Sequence, residues 1–167
     1  MGEKLEFIGA SFVIGVGATV VLDSWAALLK LLFGVPSPNW ALVGRWFGHL
    51  PRGRFIHDNI ANASPIRGEL IIGWLAHYVI GIVYSTLLLI MCGVDWASGP
   101  TLLPALTLSL LALVAPFFIL QPGMGAGVAA SKTPNPNAAR LRSVLAHTIF
   151  GVGLYVSALF WAAAINQ

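Results

Sequence analysis

The chain has 167 residues, 57% of them apolar and only 9% charged, with a formal net charge of +3. Soluble domains carry about a quarter charged residues, so this composition excludes an ordinary cytosolic enzyme, a disordered regulator and a nucleic-acid reader. The single cysteine, Cys92, excludes an internal disulfide framework and a cysteine-based zinc site.

Four apolar stretches reach the roughly 20 residues a bilayer span requires. They cover residues 7–33, 70–92, 101–121 and 143–164. The first has no strong basic leader and no small-residue cleavage site before Asp23, so it reads as a span and not as a cleaved signal. It carries Gly9 and the cluster Gly15, Gly17 and Ala18, residues that let helices approach closely.

Residues 34–69 follow as more than a linker. Asn39 can cap a short helix that sets Trp40, Val43, Phe47 and Leu50 on one face, with Arg45, Arg52 and Arg54 beside it. That pattern predicts an interfacial cytoplasmic loop whose arginines contact lipid phosphate, an anionic phospholipid above all. The competing reading is a solvated loop packed on the bundle. His49 and His57 in this loop stand eight apart, a spacing that matches no metal motif, and are read as solvated or interfacial.

The second span sets Gly73, His77, Gly81 and Ser85 at intervals of four, along one helical stripe. In the third, Pro116 removes an intrahelical bond and predicts a kink, and Gln121-Pro122-Gly123 ends the regular helix. Thr133-Pro134-Asn135-Pro136-Asn137 reads as a turn. The fourth span repeats the stripe with Ser143, His147, Gly151 and Tyr155.

Lipid offers no partner to a free backbone amide, so the fold class is an all-α integral membrane protein, a single domain over 1–167 built as an antiparallel four-transmembrane-helix bundle. Residues 75–81 and 145–151 share Leu-Ala-His-x-x-x-Gly. This pattern favours a parallel duplication of a helical hairpin, related by an axis along the membrane normal. Lys30, Arg45, Arg52, Arg54, Arg67, Lys132, Arg140 and Arg142 flank the first and third loops, against Lys4 on the other side. The positive-inside rule then places those loops in the cytoplasm and both termini in the periplasm. Trp96 and Trp161 fall at the outer interface, with Trp25, Trp40, Trp46 and Trp74 toward the inner half.

The run from Pro116 through Gln121-Pro122-Gly123-Met124-Gly125-Ala126-Gly127 leads into Thr133-Pro134, Arg140 and the second His-x-x-x-Gly. Together with Gly17-Ala18-Thr19, Asp23 and Gly44-Arg45-Trp46, it resembles a family of small bacterial inner-membrane proteins filed as a domain of unknown function. The resemblance covers nearly the whole chain. It implies a solitary four-helix bacterial membrane protein and supplies no activity.

Ionisable side chains in membrane helices cost roughly 2.5–3.5 kcal/mol on insertion scales, which makes each a functional candidate. Asp23, His77 and His147 qualify, and Gln121 is a polar fourth; the predicted topology sets all of them in the cytoplasmic half. Gly73, Gly81, Ser143 and Gly151 are the expected helix-packing positions. Several readings stay open. Buried polar groups that only fix packing suit a non-enzymatic accessory or structural subunit of a membrane assembly, as a homo-oligomer or docked to other subunits. A relay through Asp23, His77, His147 and Gln121 suits a transporter or channel component for a solute, ion or proton. Haem held by His77 and His147 suits a membrane electron carrier, and zinc or iron could be held by those histidines with Asp23. No hydrolase triad or phosphate-binding loop is legible.

Overall fold

Helical hydrogen bonding outruns the apolar stretches at the start of the first span and of the last. The computed structural model describes residues 2–165. In chain order it forms α1 (Gly2–Phe33), α2 (Trp40–His49), α3 (Glu69–Cys92), α4 (Leu102–Leu111), a π-helix (Pro116–Leu120), α5 (Gln121–Gly123) and α6 (Pro136–Ile165), with short 3-10 turns between; the described residues include no strand. Four helical segments are long and apolar enough to cross a membrane: Gly2–Phe33, Glu69–Cys92, Leu102–Gly123 and Pro136–Ile165. The first therefore starts five residues before the apolar stretch at 7 and the last seven before 143. Helix continues there because the backbone remains satisfied where hydropathy falls. Asn135 Oδ1 accepts the Ala138 amide at 3.1 Å, and Pro136 occupies the first helical position, where a missing N–H costs nothing. The expected turn at 133–137 is thus also a helix start.

Between 17 and 39% of the residues in the most apolar part of each span are buried. The outward positions are apolar too: Ile8, Leu31, Ile71, Leu103 and Phe160 are all exposed. Water would not tolerate such a surface, whereas hydrocarbon does. The architecture is a multi-pass, all-helical membrane protein.

The chain divides into two compact units. The first comprises Met1–Ser37, Tyr78–Leu111 and Ala146–Gln167. Its core joins Ala10, Ile14 and Ala18 of α1, Leu88 and Leu89 of α3, Leu108 of α4, and Leu154 and Ala158 of α6. Small residues set the spacing. A Cβ on Gly81 would collide with Thr19 Oγ1, and one on Gly15 would lie 2.5 Å from Ile82 Cα. A Cβ on Gly151 would meet Ser109 Oγ of α4. Backbones this close gain dispersion contacts, which is how membrane helices associate without a hydrophobic drive. Ser85 Oγ donates to the Ser11 carbonyl, tying α3 to α1.

The second unit comprises Pro38–His77 and Ala112–Leu145. Asn39 caps α2, its Oδ1 accepting from the amides of Ala41 and Leu42 at 3.1 and 3.4 Å. The buried face of α2 is Gly44, Trp46 and His49, while Trp40, Val43, Phe47 and Leu50 are half-buried. Glycine brings the buried side close: Gly44 and Gly73 meet backbone to backbone, so a Cβ on Gly44 would strike the Glu69 carbonyl. The two loops of this unit are stitched together, with the His57 amide donating to the Gly123 carbonyl at 2.9 Å and the Ile60 amide to that of Met124 at 3.0 Å.

Pro116 does more than bend its helix. Having no N–H, it opens a wide turn in which the Gln121 amide reaches back to the Pro116 carbonyl, a π-type bond that spans five residues.

Candidate functional site

The four polar residues expected in the spans divide two and two: Asp23 and His147 belong to the first unit, His77 and Gln121 to the second. In the first, the Tyr78 hydroxyl donates to Asp23 Oδ2 at 3.0 Å. His147 is half-buried on α6.

In the second, His77 is buried on α3 and its ring stacks on Trp40 of α2, with centroids 3.9 Å apart and planes at 26°. Trp74 flanks the same imidazole at 5.9 Å and 60°. Gln121, at the close of the π turn, donates through Nε2 to Ser143 Oγ at 3.3 Å, so a candidate site residue and an expected packing residue come together. The Gln121 Oε1 is buried without a hydrogen-bond partner among the described residues.

The three arginines expected to contact lipid phosphate, Arg45, Arg52 and Arg54, differ sharply. Arg45 is committed within the protein. Its Nε and Nη2 donate to Glu69 Oε2 and Oε1 at 2.9 and 2.8 Å, and Nη1 donates to the carbonyls of Ala61 and Ala63 at 2.9 and 3.2 Å. Glu69 Oε2 also accepts the Ile66 amide at 3.0 Å, which anchors the chain entering α3. Arg52 makes one bond, to the Gly48 carbonyl at 3.0 Å, and both Arg52 and Arg54 are exposed. They line a cavity of about 400 Å3 with His49, Ser64, Pro65 and Ile66.

Sequence reasoning missed one pair. His49 and His57 lie with ring centroids 5.0 Å apart and planes at 58°. The chain reverses between them through Leu50–Arg52, a 3-10 turn, and Gly53 at φ +72°, a conformation glycine adopts without strain. The Arg54 amide then returns to the His49 carbonyl at 3.3 Å. Pro51 and Gly53 were the available signal, since a turn there converts a separation of eight into proximity.

His49 is only 3% exposed. Its Nε2 faces the Ser64 carbonyl at 3.0 Å, and because a carbonyl only accepts, Nε2 carries the proton. The Nδ1 of His49 and the Nε2 of His57 are buried with no partner among the described residues. Burial, together with the neighbouring His49 and Arg54, holds His57 below the usual imidazole range, while a hydrogen bond to the Arg54 backbone acts the other way. A neutral imidazole so arranged offers a lone pair. No group of three or more His, Cys, Asp or Glu side chains able to hold a metal occurs among the described residues.

A family model described as "Protein of unknown function (DUF2938)" matches residues 12–161. No curated protein and no solved structure matches the chain.

Proposed function

The chain belongs to the DUF2938 family of proteins of unknown function, and on that premise we propose that it is a non-enzymatic accessory or structural subunit of a bacterial inner-membrane assembly. In this reading the four spans run antiparallel as a duplicated helical hairpin. The basic loops face the cytoplasm and both termini the periplasm.

One observation carries the reading. Polar side chains that are costly in a bilayer are spent on neighbours within the protein: Asp23 on Tyr78, Gln121 on Ser143 and Ser85 on the Ser11 carbonyl. At the crossing of α1 and α3, Gly15 and Gly81 let the helices close. Groups used this way fix which helix faces meet, and the apolar exterior is left for lipid or for other membrane helices. The test is mild solubilisation from native membranes with mass analysis of what travels with the chain. A stoichiometric partner or a defined homo-oligomer is expected; a monodisperse monomer alone would count against the proposal.

A second reading, as a component of a transporter or channel, draws on the broken third helix. Irregular backbone at membrane depth persists where it is buried in protein or faces water, and the π turn ends on Gln121, whose Oε1 is buried with no partner among the described residues. Solute or proton flux in proteoliposomes, lost in a folded Gln121→Leu variant, would favour it. Soret absorbance after haem-replete expression would support the electron-carrier reading instead.

A further inference from the structure

The pair formed by His49 and His57 leaves one buried ring nitrogen on each residue without a partner among the described residues. The geometry points to a divalent transition-metal site, of the zinc type, with His49 Nδ1 and His57 Nε2 as its two protein ligands. It goes beyond the proposed subunit role and does not depend on it.

Three features converge. First, both nitrogens are buried without hydrogen-bond partners among the described residues. Buried polar atoms of that kind are uncommon, and two in adjacent rings could share one occupant. Second, the His49 ring is braced from its far side by a backbone carbonyl, its Nε2 donating to Ser64, and the Arg54 backbone lies beside His57. Metal-binding histidines are commonly held in this way, with the second ring nitrogen donating to a carbonyl or carboxylate so that the ligating one keeps its lone pair.

Third, the spacing suits tetrahedral geometry. With a metal–nitrogen bond of about 2.1 Å and the ring centre a little over 1 Å beyond it, two imidazoles on a tetrahedral ion have centroids about 5 Å apart. The observed separation is 5.0 Å.

Two histidines leave the remaining coordination positions to water or an anion. The cavity that His49 lines with Arg52, Arg54 and Ser64, though not with His57, is the nearby space from which they would come. Its guanidinium groups disfavour a bare cation and favour one that keeps an anionic ligand, such as hydroxide or a phosphate oxygen. Imidazole nitrogens select zinc-like ions over magnesium or calcium, which prefer oxygen.

Cobalt(II) is the probe, because a tetrahedral cobalt centre absorbs visible light far more strongly than an octahedral one. Full-length protein in detergent is stripped with chelator and titrated with Co2+, then with Zn2+ in competition. One cobalt per chain with tetrahedral bands, displaced by zinc, is expected. His57→Gln and His49→Gln should each abolish the bands, with helicity and melting checked by circular dichroism. His57 is the less buried of the two, so its variant keeps the test valid should His49→Gln fail to fold. Three results overturn the site: no cobalt bound by the wild type, octahedral bands only, or tetrahedral bands that survive in folded His57→Gln. Inorganic phosphate bound by the stripped protein without any cobalt spectrum would also overturn it, by assigning the cavity to an anion.

Discussion

Arg45 and Glu69 meet as a two-pronged ion pair, Nε to Oε2 at 2.9 Å and Nη2 to Oε1 at 2.8 Å, with 12% and 18% of their side chains exposed. Arg45 also gathers the carbonyls of Ala61 and Ala63, so one guanidinium fixes α2, the following loop and the start of α3. Lysine has the charge but not the fork. Arg45→Lys should therefore lower stability by about 1–2 kcal/mol, and Glu69→Ala by more, since it leaves a largely buried cation unpaired. Denaturant unfolding in detergent reads both; a fully stable Arg45→Lys protein would show that charge alone suffices.

The hydroxyl of Tyr78 reaches Asp23 at 3.0 Å. Removing it in Tyr78→Phe should cost about 1 kcal/mol, the scale of side-chain hydrogen bonds between membrane helices. Asp23→Asn, which keeps an acceptor oxygen, should cost less. Thermal melting of the two variants checks the order, and the reverse order would mean that the carboxylate charge has a second role.

Glycines with different surroundings should respond differently to alanine. At Gly81 a new Cβ would meet Thr19 Oγ1 and the Gly15 carbonyl, whereas at Gly99 nothing lies within 4 Å. Gly81→Ala should lose at least about 1 kcal/mol despite the better helix propensity of alanine. Gly99→Ala should stay within about 0.5 kcal/mol of the parent. Equal melting temperatures would contradict the close helix approach.

The proposed orientation is checked by labelling. Ser37 and Ser98 are both exposed, at opposite ends of the interval that contains α3. In a Cys92→Ser background, Ser98→Cys should react with an impermeant maleimide on intact spheroplasts. Ser37→Cys should react only after permeabilisation. The opposite pattern would invert the topology.

The spans were legible because hydropathy measures length, and length is what a bilayer demands. The start of α2 was legible as well, since Asn39 signals its cap locally. Helix ends were not: Gly2–Glu6 and Pro136–Arg142 are polar enough to break an apolar run without breaking a helix. Side-chain partners were less legible still. Composition cannot show that Arg45 turns to Glu69, twenty-four positions away. A helical wheel suggests which residues share a stripe but not that His77 meets Trp40. His49 and His57 were hidden by their spacing, because a turn joins them and not a helix face.

The wide turn at Pro116–Leu120 gives the third span a phase slip. Each residue in ordinary helix advances the azimuth by about 100°, and the π turn absorbs roughly one residue more than its α counterpart. Closing that turn into regular helix with every residue kept would swing the stretch beyond it about a quarter of the way around its axis. Gln121 would rotate away from Ser143, and the Gly123 and Met124 carbonyls away from the amides they receive. Removing one residue together with the wide turn keeps the phase, so sequences aligned to this one should either retain a helix breaker there or lack one residue of the segment.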